Sequence, residues 1–260
     1  MRWVALVAAV ACAGPAAAEL AGWRYSQIVV LGEVHDNPRH HRNQADIIDA
    51  MKPAALVFEM LSPEQVVAAA GVDRTDMAAL GAALGWDAAG WPDFAIYAPI
   101  FAAAPDAAII GAALPPDQMM AAVNRGAAAV FGADAAEYGL IPLSLPDQSA
   151  REAEQAEAHC GALPPDMLAG MVEVQRLRDA HFARVTLAAL DQYGERVVLI
   201  TGSGHARTDR GVPAALHIAR PDLRTWSLGQ FEADPGPNAP FDAVNVADPV
   251  DRPDPCLAFQ

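Results

Sequence analysis

Carboxylate, imidazole and guanidinium groups occur directly after three short apolar runs of the sequence. Glu33 and His35 follow the first run, Glu59 follows the second, and His205 and Arg207 follow the third. A carboxylate at the end of an apolar run is costly to remove from water unless it has a partner. Histidine and carboxylate side chains are also the groups that bind metals or exchange protons in catalysis. We therefore expect these residues to share a functional site.

The apolar runs themselves are typical of strands that are buried on both faces of a sheet. The sequence predicts strands at Gln27–Glu33, Ala54–Met60, Ala107–Leu114, Leu140–Ser144 and Arg196–Ser203, with an edge strand at Phe241–Val246. Helical patterns lie between them, at Pro38–Met51, Pro63–Ala70, Thr75–Trp86, Phe94–Ala104, Pro116–Val130, Pro165–Tyr193 and Asp209–Ala219. This alternation predicts an α/β fold, with a mostly parallel sheet and helices on both faces. The spans 61–106 and 145–195 predict a helical lobe beside the sheet.

In open α/β sheets, ligands bind outside the carboxyl ends of the strands, an edge that we call the rim. The pattern Gly-x-x-His occurs at two predicted rim positions, Gly32–His35 and Gly202–His205. Glycine there allows a sharp bend and a close approach of a ligand. The rim is therefore predicted to combine two carboxylates, two imidazoles and an arginine.

Helical segments add further candidates for the same site. His40 and His41 lie in the first turns of the helix at Pro38–Met51, where one is expected to face the rim and the other solvent. Gln175, Arg178 and Asp179 share a face of the longest predicted helix. If it is buried, Arg178 needs an anionic partner, either a carboxylate at the rim or a bound ligand. A solvated charged face is the alternative.

Aromatic side chains form a stripe on the helix at Phe94–Ala104. Phe94, Tyr97 and Phe101 recur at helical spacing. Core packing is one interpretation of such a stripe, and a flat apolar ligand beside Tyr97 is the other.

The charge of the chain excludes one class of partner. The sequence of 260 residues has 32 Asp and Glu against 17 Lys and Arg, a net charge of −15. Binding to nucleic acid comes mostly from neutralisation of phosphates by cationic side chains, so an acidic chain argues against it. Binding to anionic lipid through a basic patch is disfavoured for the same reason.

The first residues predict export. A cationic start precedes an apolar run at 3–13 that is too short to span a bilayer, and small residues at 16–18 offer a cleavage site. We interpret residues 1–18 as a secretory signal peptide and expect a periplasmic protein. A lipid anchor at Cys12 is the alternative, although the usual Leu three residues earlier is absent. The remaining pair, Cys160 and Cys256, predicts a disulfide in an exported chain.

The rest of the chain shows no linker and no repeat. We expect one α/β domain at 19–232 and an Asp- and Pro-rich tail at 233–260 that packs on it.

Five blocks of the sequence together carry a family resemblance. They are LGEVHDNPRHHRNQADII, LVFEML, GWPDFAIYAPIF, QRLRDAHFA and TGSGHARTDRGVP. The set resembles the ChaN-like branch of the haem-binding uptake and Tiki superfamily, whose wider relatives include TraB-like proteins and erythromycin esterases. The resemblance implies an exported protein of haem or iron uptake, with haem held at the rim, paired copies of the chain, and a haem receptor or transporter as a further partner.

The resemblance leaves the ligand of the haem iron open. Tyr97 is one candidate, because tyrosinate suits ferric haem, and His35, His40, His41 and His205 compete with it. Arg178 or Arg207 would meet the haem propionates in bidentate contacts.

Two other functions remain compatible with the same residues. Glu33, His35, Glu59 and His205 would also serve a hydrolase, either by binding a divalent metal ion or by acid–base chemistry. A binding module for a different anionic ligand is the third possibility.

Overall fold

A single parallel sheet is the centre of the fold. The computed structural model describes residues 22–254 and 256–257. Its strands are β1 Ile28–Glu33, β2 Ala55–Phe58, β3 Ala108–Gly111, β4 Val197–Gly202, β5 Thr225–Phe231 and β6 Ala243–Val246. They are arranged in the order β3-β2-β4-β1-β5-β6, and each neighbouring pair is parallel. The predicted mostly parallel α/β fold is therefore confirmed.

Alternate residues of the strands enter two separate cores, as the two-residue repeat of a strand requires. In β1, Val29 and Leu31 pack into one core, together with Trp86 and Phe101. Ile28 and Val30 pack into the other core, on the opposite face of the sheet. Burial on both faces explains why β1 and β4 are nearly continuous apolar runs in the sequence.

Helices cover both faces of this sheet. They are α1 Pro38–Met51, α2 Pro63–Ala68, α3 Met77–Ala83, α4 Phe94–Ala103, α5 Pro116–Arg125, α6 Ala127–Phe131, α7 Leu145–Ala158, α8 Pro165–Tyr193 and α9 Val212–Ala219. The predicted bounds of α1 and α8 are confirmed, because caps and breaks define them locally. Asn37 caps α1 before Pro38, and Gly194 follows the last residue of α8. The single helix predicted at Pro116–Val130 divides at Gly126, which adopts a φ of 83°.

The strand predicted at Leu140–Ser144 was wrong. This segment is an extended loop without strand pairing. Leu140 packs into a third cluster, while Ile141 is 57% exposed. The carbonyl of Ile141 accepts a hydrogen bond from Arg176 of α8, and Pro142 has no backbone N–H to donate. The apolar run therefore reflects the packing of Leu140 against helices and not the pairing of a strand in the sheet.

The tail of the chain continues the sheet and then extends beside the rim. Strand β6, within the predicted edge strand, pairs with β5. Arg252 donates to Asp36, which follows β1, and to Glu232, which follows β5. Farther along, Cys256 forms the predicted disulfide with Cys160 after α7. The tail is therefore attached to both sides of the rim.

The predicted signal peptide and Cys12 lie outside the described residues. Among residues 22–254 and 256–257, no helix combines the length and the apolar content that a membrane span requires.

We predict that removal of the Cys160–Cys256 bond lowers the stability of the protein. The bond joins residues that are 96 positions apart. A cross-link of that span restricts the unfolded chain, which corresponds to about 5 kcal/mol in the chain-entropy model. The double substitution Cys160→Ser and Cys256→Ser should therefore lower the free energy of unfolding in a urea titration. A reductant should lower the wild-type stability by a similar amount and leave the double variant unchanged. Equal stability of the two proteins would contradict this prediction.

Candidate functional site

The candidate site lies where three adjacent strands end. In the order β2-β4-β1, β4 is central, and Glu33 at the end of β1 is in register with Gly202 of β4. Glu59 directly follows β2, and its N–H donates to Ile200 of β4 at 3.1 Å. Parallel pairing places all three strand ends at the same edge of the sheet. This is why residues far apart in the sequence meet here.

Glu33 is a buried carboxylate with donors on both oxygens. Oε1 is 2.9 Å from His35 Nδ1 and accepts a hydrogen bond of 2.6 Å from the Tyr97 hydroxyl. Oε2 accepts from Gln44 at 2.8 Å and lies 3.4 Å from His41 Nδ1. Burial opposes ionisation, but the hydrogen bonds and charges of His35 and His41 outweigh it and lower the Glu33 pKa to about 2.

His35 is the most accessible imidazole of this group. Its side chain is 33% exposed, and its ring lies 4.9 Å from the ring of Trp91. Burial lowers its pKa, but the hydrogen bond and charge of Glu33 have the larger combined effect and raise it above the ordinary value. Because Nδ1 faces Glu33, Nε2 is directed towards Glu59, 3.9 Å from Oε1. Glu33 therefore orients His35.

Glu59 is the second buried carboxylate. Oε1 accepts from Arg178 of α8, and Oε2 accepts from the hydroxyl of Thr201 and from the N–H of Gly202. Burial raises its pKa, but the charges of His205, Arg178 and His35 prevail and lower it to about 2. Glu59 therefore carries its charge in the folded protein and links β2, β4 and α8.

His205 forms a buried pair with Asp179. Its Nδ1 lies 2.6 Å from Asp179 Oδ1, and its ring packs edge-on against Phe182. Burial raises the pKa of Asp179 despite the nearby charge of His205. Gln175 Nε2 lies 3.1 Å from His205 Nδ1, and His205 Nε2 lies 3.9 Å from Glu59 Oε1. The predicted α8 face is thus in contact with the rim.

His40 and His41 are both buried, so the expectation that one of them faces solvent was wrong. His40 Nδ1 accepts from the N–H of Val34 at 2.9 Å, and burial lowers its pKa. His41 Nε2 lies 2.9 Å from the carbonyl oxygen of His35. Burial lowers the pKa of His41, but the hydrogen bond and the charge of Glu33 prevail and raise it. Both histidines therefore stabilise the loop after β1.

Tyr97 belongs to the core and to the site at once. It is fully buried, with its ring 4.7 Å from Trp86 and 4.0 Å from His41. Phe94 and Phe101 are also buried, so the aromatic stripe is core packing. Burial and the charge of Glu33 raise the pKa of the Tyr97 phenol, which keeps it protonated and donating to Glu33.

The two predicted arginines differ in their surroundings. Arg178 is partly buried and paired with Glu59, so of the two partners considered for a buried Arg178 it has the carboxylate at the strand end. Arg207 lies outside this network and makes a bidentate contact with Asp209 at 2.9 and 2.7 Å.

The two rim glycines are required by close approach. A Cβ on Gly32 would lie 2.8 Å from the Leu228 carbonyl oxygen and 2.8 Å from Ser203 Oγ. A Cβ on Gly202 would lie 3.1 Å from His35 Nε2. Neither glycine has a positive φ, so packing and not turn conformation explains the repeated Gly-x-x-His pattern.

Sequence reasoning missed several residues of the site. Gln44, Thr201 and Trp91 contact the predicted residues Glu33, Glu59 and His35, respectively. Gln44 lies three positions after His41 on α1, a spacing that places both on one face. That spacing could have identified Gln44, whereas Trp91 reaches His35 only through the tertiary fold.

The arrangement allows coordination by His35 or proton transfer by His205, because each imidazole is oriented by a buried carboxylate. Within the described part of the chain, no group of three or more His, Cys, Asp or Glu side chains is placed to hold a metal ion.

Comparison with known proteins identifies a family. The family described as "Haem-binding uptake, Tiki superfamily, ChaN" matches residues 20–216. A solved structure described as "Cofacial heme binding to ChaN of Campylobacter jejuni" is 19% identical, covers 88% of this chain and 89% of that chain, and has a TM-score of 0.67. At this identity the similarity shows the fold. No curated protein matches the sequence.

Two further solved structures are similar to the chain to a lower degree. A type III effector is 12% identical, with 86% of this chain and 88% of that chain covered and a TM-score of 0.45. An erythromycin esterase in its open conformation is 12% identical, with 86% of this chain and 76% of that chain covered and a TM-score of 0.39. These TM-scores are too low to bear on the fold or the function.

We predict that Glu33 makes stability depend on pH in the acid range. A carboxyl whose pKa is lower in the folded protein stabilises the fold above the unfolded pKa. This contribution disappears as the pH falls from about 4.5 to about 2. Its size is about 3 kcal/mol by linkage. The difference in the free energy of unfolding between wild type and Glu33→Gln, measured in urea titrations, should therefore become smaller as the pH falls through this window.

The control is Glu157→Gln, which makes the same change on the exposed side of α7. It should follow the wild-type curve throughout. A gap for Glu33→Gln that stays constant from pH 6 to pH 2 would contradict the assignment of a charged, buried Glu33.

Proposed function

The chain belongs to the ChaN family of haem-binding uptake proteins in the Tiki superfamily, and from this premise we propose that it is an exported protein that binds haem at the rim and serves haem or iron uptake. The observation that carries the proposal is the oriented and accessible imidazole of His35. The proposal includes a periplasmic location. It also includes the pairing of two copies, and this second part is supported by the description of the Campylobacter relative as binding haem cofacially.

His35 fits the requirements of a haem ligand. A histidine that binds a metal commonly donates its other ring N–H to a carboxylate, which orients the ring and increases its basicity. His35 Nδ1 has such a partner in Glu33 at 2.9 Å. Its Nε2 has no hydrogen bond among the described residues, and one third of the side chain is exposed. His35 Nε2 would therefore hold the haem iron, and Trp91 is the aromatic side chain that packs against the His35 ring.

The other candidate ligands are less available in this arrangement. Tyr97 is fully buried and donates its proton to Glu33, and the raised pKa of its phenol disfavours tyrosinate. Both nitrogens of His40 and both nitrogens of His41 face protein partners. His205 is buried and held by Asp179. Ligation by any of these four residues would require the network to open.

We predict that His35→Ala weakens binding of ferric haem by about 100-fold, since loss of an outer partner alone typically costs about 10- to 100-fold. The measurement is a titration of the purified protein with ferric haem, followed by the Soret shift. Size-exclusion chromatography before and after loading measures the pairing of copies. His217→Ala removes an exposed imidazole at the end of α9 and should bind haem as the wild type does.

A wild-type protein without a Soret shift would refute haem binding. Wild-type affinity in His35→Ala would leave haem binding intact and exclude His35 as the ligand.

Acid–base hydrolysis is the second candidate function, and the Asp179–His205 pair is the observation that favours it. A buried carboxylate at 2.6 Å orients the imidazole, and Nε2, which lies 3.9 Å from the charged Glu59 and 3.4 Å from Gln175 Nε2, would act as the general base once the network opens. We expect any hydrolysis of an activated ester to be lost in His205→Gln and retained in His217→Gln. Absence of turnover by the wild type, or equal turnover by His205→Gln, would argue against this candidate.

A further inference from the structure

A cavity between α7, α8 and the loop after β4 lies next to the rim. Its volume is about 340 Å³, at the low end of the range of about 300–1,000 Å³ for ligand pockets. The charged and polar residues at its wall include Arg151, Glu154, Gln175, Asp179, Arg207 and Arg210. Since Gln175 and Asp179 also contact His205, the cavity adjoins the residues of the proposed haem site.

Three guanidinium groups line this cavity, and two of them are neutralised by the protein. Arg207 makes a bidentate contact with Asp209, and Arg210 pairs with Glu154. Arg151 has no hydrogen bond or ion pair with any residue in 22–254 or 256–257. Arg151 is therefore the cation of the cavity wall that lacks a counter-ion.

The surroundings of Arg151 destabilise its positive charge. Arg151 is half-buried, and its burial together with the charges of Arg210 and Arg176 lowers its pKa. The carboxylates with an opposing effect, Asp179 and Asp147, are already bonded to His205 and Ser144. A partly desolvated guanidinium among like charges is stabilised by an anion that the chain does not supply.

We propose that Arg151, supported by Arg207 and Arg210, forms a subsite that binds a carboxylate of the porphyrin. This inference rests on the proposed function. Guanidinium matches carboxylate in a bidentate, charge-assisted contact, which an ammonium group cannot reproduce. Arg151 would hold the carboxylate, and the cavity adjoins the rim through Gln175 and Asp179, which both contact His205. Because Glu59 already occupies Arg178, Arg151 replaces Arg178 as the principal contact of a propionate.

The test compares ferric haem with its dimethyl ester, which lacks the carboxylates. The wild type should bind haem about tenfold more tightly than the ester, a ratio expected for one charge-assisted contact. Arg151→Ala should lose that preference by weakening haem binding and leaving ester binding unchanged. Arg151→Lys should recover only part of it. Arg125→Ala removes a guanidinium from the exposed end of α5 and serves as the matched control.

Each outcome separates the subsite from the proposed function. If the wild type binds neither compound, the proposed function fails and the subsite fails with it. If Arg151→Ala binds haem like the wild type, the subsite alone is overturned. Inorganic phosphate is the third probe. Suppose that the wild type binds haem and ester with equal affinity and that phosphate competes equally with both. The porphyrin carboxylate then does not bind at Arg151, and the proposal is overturned. Circular dichroism of Arg151→Ala confirms that the variant is folded.

Discussion

The burial of two charged carboxylates at the ends of adjacent strands is the constraint on which the rest of the structure depends. Glu33 and Glu59 are both almost inaccessible to solvent, and both have pKa values of about 2. A buried charge of this kind is stable only when several donors surround it. The donors come from α1, α4, α8 and β4. The hydrogen bonds that the two carboxylates require therefore determine how these four elements meet at the rim.

The same network separates groups that hold the fold from groups that remain able to bind. His40, His41 and Tyr97 have protein partners at their polar atoms and stabilise the loop after β1. His35 has a partner at Nδ1 and no hydrogen bond at Nε2 among the described residues, and one third of its side chain is exposed, which is the arrangement of a ligand oriented by a second group. The histidines of the site therefore differ in how many of their ring nitrogens have a protein partner, and residue type alone does not reveal this difference.

The strand ends, the bounds of α1 and α8 and the disulfide were predictable because each has a local or compositional signal. Apolar runs indicated β1 and β4, and capping residues indicated the start of α1. An even pair of cysteines, in a chain predicted to be exported, indicated the disulfide. Strand β5 was missed because Ser227 and Gln230 interrupt its apolar pattern, and both are buried with hydrogen-bond partners. The helical lobe predicted at 145–195 includes α7, but no separate helix was predicted there because this segment buries no residue fully.

By itself, the sequence determined which residues stand at the ends of strands, because a parallel sheet brings those ends to one edge whatever the order of the strands. The tertiary structure alone decided which partner each residue has. The order β2-β4-β1 places Glu59 and Glu33 on either side of Gly202, and the docking of α8 brings Arg178 to Glu59 and leaves Arg151 without a carboxylate. Charge pairing depends on distances of a few ångströms between distant segments, and no local pattern of residues encodes those distances.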